Sequence, residues 1–134
     1  MMQILQPPGW ARAKGFSNGV AAKGTLVFIA GQIGWTGQCE WREKSFAGQF
    51  RQALENIIAV LAEAQGKPEH IVRLTWYVLD KQEYLAALKD VGAAYRELMG
   101  RHFPTMAVVQ VSALVEEEAR LEIEATAVIP EERT

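Results

Sequence analysis

The sequence predicts an α+β domain of element order ββαβαββ, a mixed sheet with two helices on one face. Three observations lead there. In Phe103–Val111 a proline is followed at once by Thr105-Met106-Ala107-Val108-Val109, so a helix must end before Pro104 and a strand begin after it. Arg120–Ile129 alternates Leu121, Ile123, Ala125 and Ala127 with Glu122, Glu124 and Thr126, the period of a strand with two different faces. That strand is the expected mate of the one after Pro104, with Glu116-Glu117-Glu118 as a solvated turn between them. Thirdly, two stretches carry apolar residues at helical spacing: Ala47, Phe50, Leu54, Ile57, Ile58 and Leu61, then Tyr84, Leu88, Val91, Tyr95 and Leu98.

Taken in order, residues 1–12 are Pro-rich and aperiodic, which predicts an extended N-terminal arm with Trp10 as its anchor. Gly15–Ala22 and Thr25–Ile33 flank a Lys23-Gly24 turn and are expected to pair as a hairpin. The second of these strands is apolar on both faces, Leu26 and Phe28 against Val27 and Ile29. Gly34–Lys44 lacks a pattern and reads as a loop. Ser45 is a suitable N-cap for the first helix, which Gly66 and Pro68 stop. Val72, Leu74, Trp76 and Val78 alternate with Arg73, Thr75 and Tyr77 in a further strand, and Asp80 caps the second helix, which ends at Gly100. Two helices cover one sheet face, so an apolar strand on the other side calls for another subunit.

Composition narrows the function classes. The 134 residues, 49% of them apolar, suffice for one domain over 1–134 with a sizeable core. Sixteen acidic against fourteen basic side chains supply no field for nucleic acid, so no nucleic-acid partner is expected. The N-terminus does not read as a signal peptide, and no run has transmembrane length. A lone cysteine, Cys39, fits a reducing compartment, and the expected location is cytoplasmic, with no membrane partner.

Few residues carry chemistry by pattern. Gly31-Gln32-Ile33-Gly34-Trp35-Thr36-Gly37 lacks dinucleotide-loop spacing and an immediate helix, so its glycines are read as permitting turns and close backbone approach. His70 and His102 belong to no metal-ligand spacing; no metal or cofactor is expected. His102 reads as a hydrogen-bonded loop residue and Cys39 as an unactivated thiol. Glu122 and Glu124 share a strand face. In open solvent they are ordinary polar patterning, whereas against a second subunit a desolvated glutamate can act as general acid or base.

Five segments, Gly15-Phe16-Ser17-Asn18-Gly19-Val20, Ala30-Gly31-Gln32-Ile33, Gln52-Ala53-Leu54-Glu55-Asn56-Ile57, Phe103-Pro104-Thr105-Met106 and Leu121–Val128, together resemble the RidA/YjgF family of reactive intermediate deaminases. They span nearly the whole chain in the right order. The resemblance implies a chorismate-mutase-like fold and a homotrimer with a small-molecule ligand in each intersubunit cleft. It matches Met106 to an arginine that grips the carboxylate of a 2-imino acid, Phe16 to a cleft tyrosine, and Ala30 to a serine. Glu122 matches the glutamate that positions or activates water, and Gly31 and Gln32 are retained. A thioether cannot replace the bidentate fork of arginine, a loss of ~2 to 5 kcal/mol where a carboxylate stays buried and unpaired.

The expected function is therefore hydrolysis of an imine or enamine other than a short 2-imino acid, for example a 2-aminomuconate-type enamine. Arg12, Lys14, Arg73, Arg101 and Arg120 are candidate replacement cations. The alternative is a noncatalytic trimer binding a small apolar ligand in a cleft lined by Phe16, Met106 and Trp35. Ribonuclease activity has little support, because neither a basic stripe nor a stacking motif is present.

Overall fold

The structure is a computed structural model and describes residues 2–131; residue 1 of the expected arm and residues 132–134 of the domain lie outside the described residues. Met2–Leu5 (β1) pairs antiparallel with Gly19–Ala22 (β2) in a small two-stranded sheet. The main sheet is four-stranded and comprises Thr25–Gln32 (β3), Ile71–Val78 (β4), Thr105–Gln110 (β5) and Leu121–Ile129 (β6), in the order β3-β6-β4-β5. Helix α1 spans Phe46–Glu63, and the segment between β4 and β5 holds α2, Lys81–Ala86, and α3, Leu88–Met99. The ββαβαββ order is present from β2 onward, with α2 and α3 in place of the single second helix. Ala87, at φ −96° and ψ 2°, separates those two pieces.

Three sequence expectations need correction. The extended arm holds a strand, β1, that the sequence pattern does not place, because four residues ahead of two prolines are too few to show alternation. Trp10 is 62% exposed and anchors nothing within the chain. Strand β2 pairs with β1, so the expected hairpin across Lys23-Gly24 is only a change of direction. Gly24 lies so close to the Ile129 carbonyl that any side chain there would collide with it.

The pairing of β5 also differs from expectation. Strand β5 runs parallel to β4, and β6 is antiparallel to both β3 and β4, so β4 separates the two C-terminal strands. Their connection, residues 111–120, is long enough to cross one strand, and the exposed Glu116-Glu117-Glu118 lies within it. Gln49, buried on α1, fastens that crossover. Its Nε2 donates to the Glu118 carbonyl (3.0 Å) and the Glu43 carbonyl (3.2 Å), and its Oε1 accepts from Arg120 N–H (2.8 Å).

Both predicted caps are formed. Ser45 Oγ accepts from Gly48 N–H at 3.0 Å, and Asp80 accepts from Gln82 N–H at 2.9 Å. The apolar stripe of α1, Phe50, Ala53, Leu54, Ile57 and Leu61, is fully buried against Leu74, Leu121 and Ile123. Each large side chain so buried contributes ~1.5–3 kcal/mol relative to exposure. Phe50 stacks on Trp76 at 4.8 Å. The helices cover one face only. On the other, Leu26 is 58% and Phe28 73% exposed.

Candidate functional site

The candidate residues fall into two clusters on opposite faces of the sheet. On the helix-free face, register sets Tyr77 opposite Glu122 and Thr75 opposite Glu124. The register of β3 shifts between Ile29 and Gln32, and this irregularity brings Gly31 beneath the Glu122 side chain. A methyl group at Gly31 would strike that carboxylate. Glycine is thus required by close approach, as the sequence suggested. Ala30 is exposed beside it, and Gln32 Nε2 donates back to the Ala30 carbonyl at 3.1 Å.

Tyr77, which the sequence places on the strand without a role in a site, donates its hydroxyl to Glu124 Oε1 at 2.6 Å. That bond raises the Tyr77 phenol above its ordinary value, with desolvation and the charges of Glu124 and Glu122 adding to the effect and Arg73 opposing it. Strand alternation carried the signal that Tyr77 and the glutamates share a face; the strand order needed to place them side by side was missing.

The second cluster lies between β5 and α3. Ser17 N–H donates to the Pro104 carbonyl (3.0 Å) and Ser17 Oγ to the Phe103 carbonyl (2.5 Å), fastening the loop that carries Phe16 to the start of β5. Phe16 and Met106 consequently line one cavity of about 490 Å³ with Trp76, Tyr84, Tyr95 and Phe103, and Lys14 and Arg96 border it. The volume suits a small organic ligand. Tyr95 donates to the His102 carbonyl at 2.6 Å, and burial raises its phenol strongly; Tyr84 is raised for the same reason. His102, as expected, is hydrogen-bonded: its Nε2 lies 2.6 Å from the Ile71 carbonyl and must carry the proton there.

Within one chain, then, Met106 does not face Glu122. Met106 is in register with Leu74, whose side chain is in the core, whereas Glu122 is in register with Tyr77 on the other face. Trp35 also departs from expectation, packing on Trp41 at 5.7 Å outside the cavity lining; Asn56 holds its loop by donating to the Ile33 and Trp35 carbonyls at 3.2 and 2.8 Å. Of the candidate cations, only Lys14 reaches the cavity. Arg120 is engaged by Glu83 and the Lys44 carbonyl, and Arg73 points to Thr126 on the open face. Arg96 was missed because nothing in its spacing marks it. Among the described residues no group of three or more His, Cys, Asp and Glu side chains is placed to hold a metal, and no helix is long and apolar enough to cross a membrane.

This arrangement, a four-stranded mixed sheet with helices on one face, is an α+β fold whose family the comparisons with known chains supply. Residues 9–129 match the family model described as Endoribonuclease L-PSP. The 2-iminobutanoate/2-iminopropanoate deaminase of Salmonella typhimurium is 32% identical over 108 residues, covering 78% of this chain and 80% of the relative. A RutC family protein of Pyrococcus horikoshii is 34% identical over 105 residues, covering 78% and 79%. The crystal structure of YyfB from Yersinia pestis, described as a Rid family protein of unknown function, superposes with a TM-score of 0.85 at 28% identity, over 96% of this chain and 98% of that one. The chain belongs to the Rid (RidA/YjgF, endoribonuclease L-PSP) family.

Proposed function

We propose that the chain is a hydrolase of imines or enamines, working as a homotrimer, with a substrate other than a short 2-imino acid. Glu122 takes a proton from water as the water oxygen bonds to the C=N carbon. Glu122 passes that proton to nitrogen, giving a carbinolamine; the carbinolamine hydroxyl then loses its proton, which is delivered to the amino nitrogen through Glu122 as the C–N bond breaks, so that ammonia leaves and a carbonyl product remains. An enamine first tautomerises to the imine. The observation that carries this reading is the Glu122 carboxylate lying over Gly31 on an uncovered sheet face, beside the exposed Ala30. The Salmonella deaminase at 32% identity supports the reaction type.

The proposed assembly joins the two clusters by setting the open face of one copy against another, so that Glu122 and the Phe16–Met106 cavity meet in a cleft between subunits. Exposed Leu26 and Phe28 favour such a cover. The specificity follows from Met106, which offers a carboxylate neither charge nor hydrogen bond. The test is ammonia release from imines made in place by an amino-acid oxidase. The expected result is slow release from 2-iminopropanoate, faster release from the phenylalanine-derived imine, and loss of the latter in Glu122→Gln. Rapid turnover of 2-iminopropanoate would overturn the specificity, and a monomer by sedimentation would overturn the shared cleft. The apolar cavity also favours a second reading, a noncatalytic small-molecule binder, which complete absence of ammonia release alongside ligand binding would select.

A further inference from the structure

The aromatic cavity between β5 and α3 has three features that its apolar wall does not explain. Arg96 borders it and forms no ion pair among the described residues, although Arg51, on the neighbouring helix, is paired with Glu97. Gly92, one turn before Arg96 on α3, lies beside the guanidinium, where even a Cβ would make only ordinary contact, 3.5 Å from Arg96 Nη1. Lys14, also unpaired among the described residues, approaches the same cavity from the loop that carries Phe16. At the inner wall, the indole nitrogen of Trp76 is buried with no hydrogen-bond partner, the one such side-chain nitrogen or oxygen among the described residues. A buried donor left unsatisfied costs free energy that an acceptor would restore.

We propose that the cavity takes a flat, conjugated or aromatic carboxylic acid whose carboxylate rests at the mouth on Arg96 and Lys14, and whose inner end accepts a hydrogen bond from Trp76 Nε1. This deepens the proposed function by naming the substrate class and the cation that serves where Met106 cannot. The anion site moves from the start of β5 to the surface of α3. Phe16, Tyr84 and Phe103 supply the flat surfaces against which a conjugated chain or ring packs. Because Nε1 is buried, this hydrogen bond requires the wall around Trp76 to open; Tyr84, which meets Trp76 edge-on at 5.9 Å, lines the same cavity.

Calorimetry with 4-hydroxycinnamate, which is conjugated, carries one carboxylate and has an oxygen at its far end, tests this without requiring turnover. Saturable binding is expected, weakened about tenfold or more in Arg96→Met and partly recovered in Arg96→Lys, the scale of one charge-assisted hydrogen bond. The neutral 4-hydroxycinnamyl alcohol is expected to bind weakly and equally to wild type and Arg96→Met. In ¹⁵N spectra the Trp76 indole signal, assigned through Trp76→Phe, is expected to move downfield with 4-hydroxycinnamate and not with cinnamate. Absence of saturable binding, or binding indifferent to Arg96→Met, overturns the proposal; an unmoved indole signal overturns its inner contact. These outcomes are separate from the catalytic reading, which stands or falls on ammonia release and Glu122→Gln.

Discussion

Single side chains decide the chemistry of this molecule. Gly31 does not adopt a positive φ, and its identity is set by the Glu122 carboxylate above it. Gly31→Ala should displace that carboxylate, lower the melting temperature by the equivalent of ~1–3 kcal/mol of overpacking, and reduce ammonia release by more than it changes ligand binding in the opposite-face cavity. Tyr95 offers a pH-dependent prediction. Burial raises its phenol in the folded chain, so the associated stability is complete below the unfolded value and is lost as pH rises beyond it, because the unfolded chain gives up the proton first. The urea midpoint should therefore fall above about pH 10, and fall less steeply in Tyr95→Phe. If the two slopes coincide, Tyr95 is not responsible for the alkaline limb.

At the scale of elements, the helices and their ends were readable because they depend on local chemistry. The stripes Phe50–Leu61 and Val91–Tyr95 and the caps Ser45 and Asp80 each declare themselves within one or two turns. Strand partners depend on residues far away in sequence. The alternation of β6 showed that Glu122 and Glu124 share a face, yet it could not say that β4 would lie between β6 and β5, or that Met106 would turn toward the helices. The sequence therefore named the candidate residues individually, whereas the expected pairing of their two strands gives way to an intervening β4, with Met106 and Glu122 on opposite faces of the sheet within one chain. Gln49 shows another limit: it interrupts an apolar helix face with no visible reason until its two bonds to the crossover and its third to the Glu43 carbonyl are seen. Replacing it by leucine leaves backbone groups around Glu43, Glu118 and Arg120 without a partner. Chemical denaturation of Gln49→Leu should show a loss of ~2–4 kcal/mol, as expected for more than one buried group left unsatisfied.

For the whole molecule, the uncovered sheet face is the main unresolved surface, and the proposed trimer makes a direct prediction about it. Phe28→Glu should shift sedimentation from three times the chain mass toward one, because a charge at the centre of an apolar contact is costly to bury. An unchanged mass would mean that this face does not meet another copy. The strand order has a different consequence. Strand β6 comes last in the chain yet sits inside the sheet, touching β3 and β4. On a ribosome, all the earlier elements emerge while the slot between β3 and β4 is still empty, so a nascent chain stopped before Leu121 presents two open strand edges instead of a nearly finished domain. Closure of the sheet therefore waits on Leu121–Ile129, and a chain cut short of them keeps the β3 and β4 edges open.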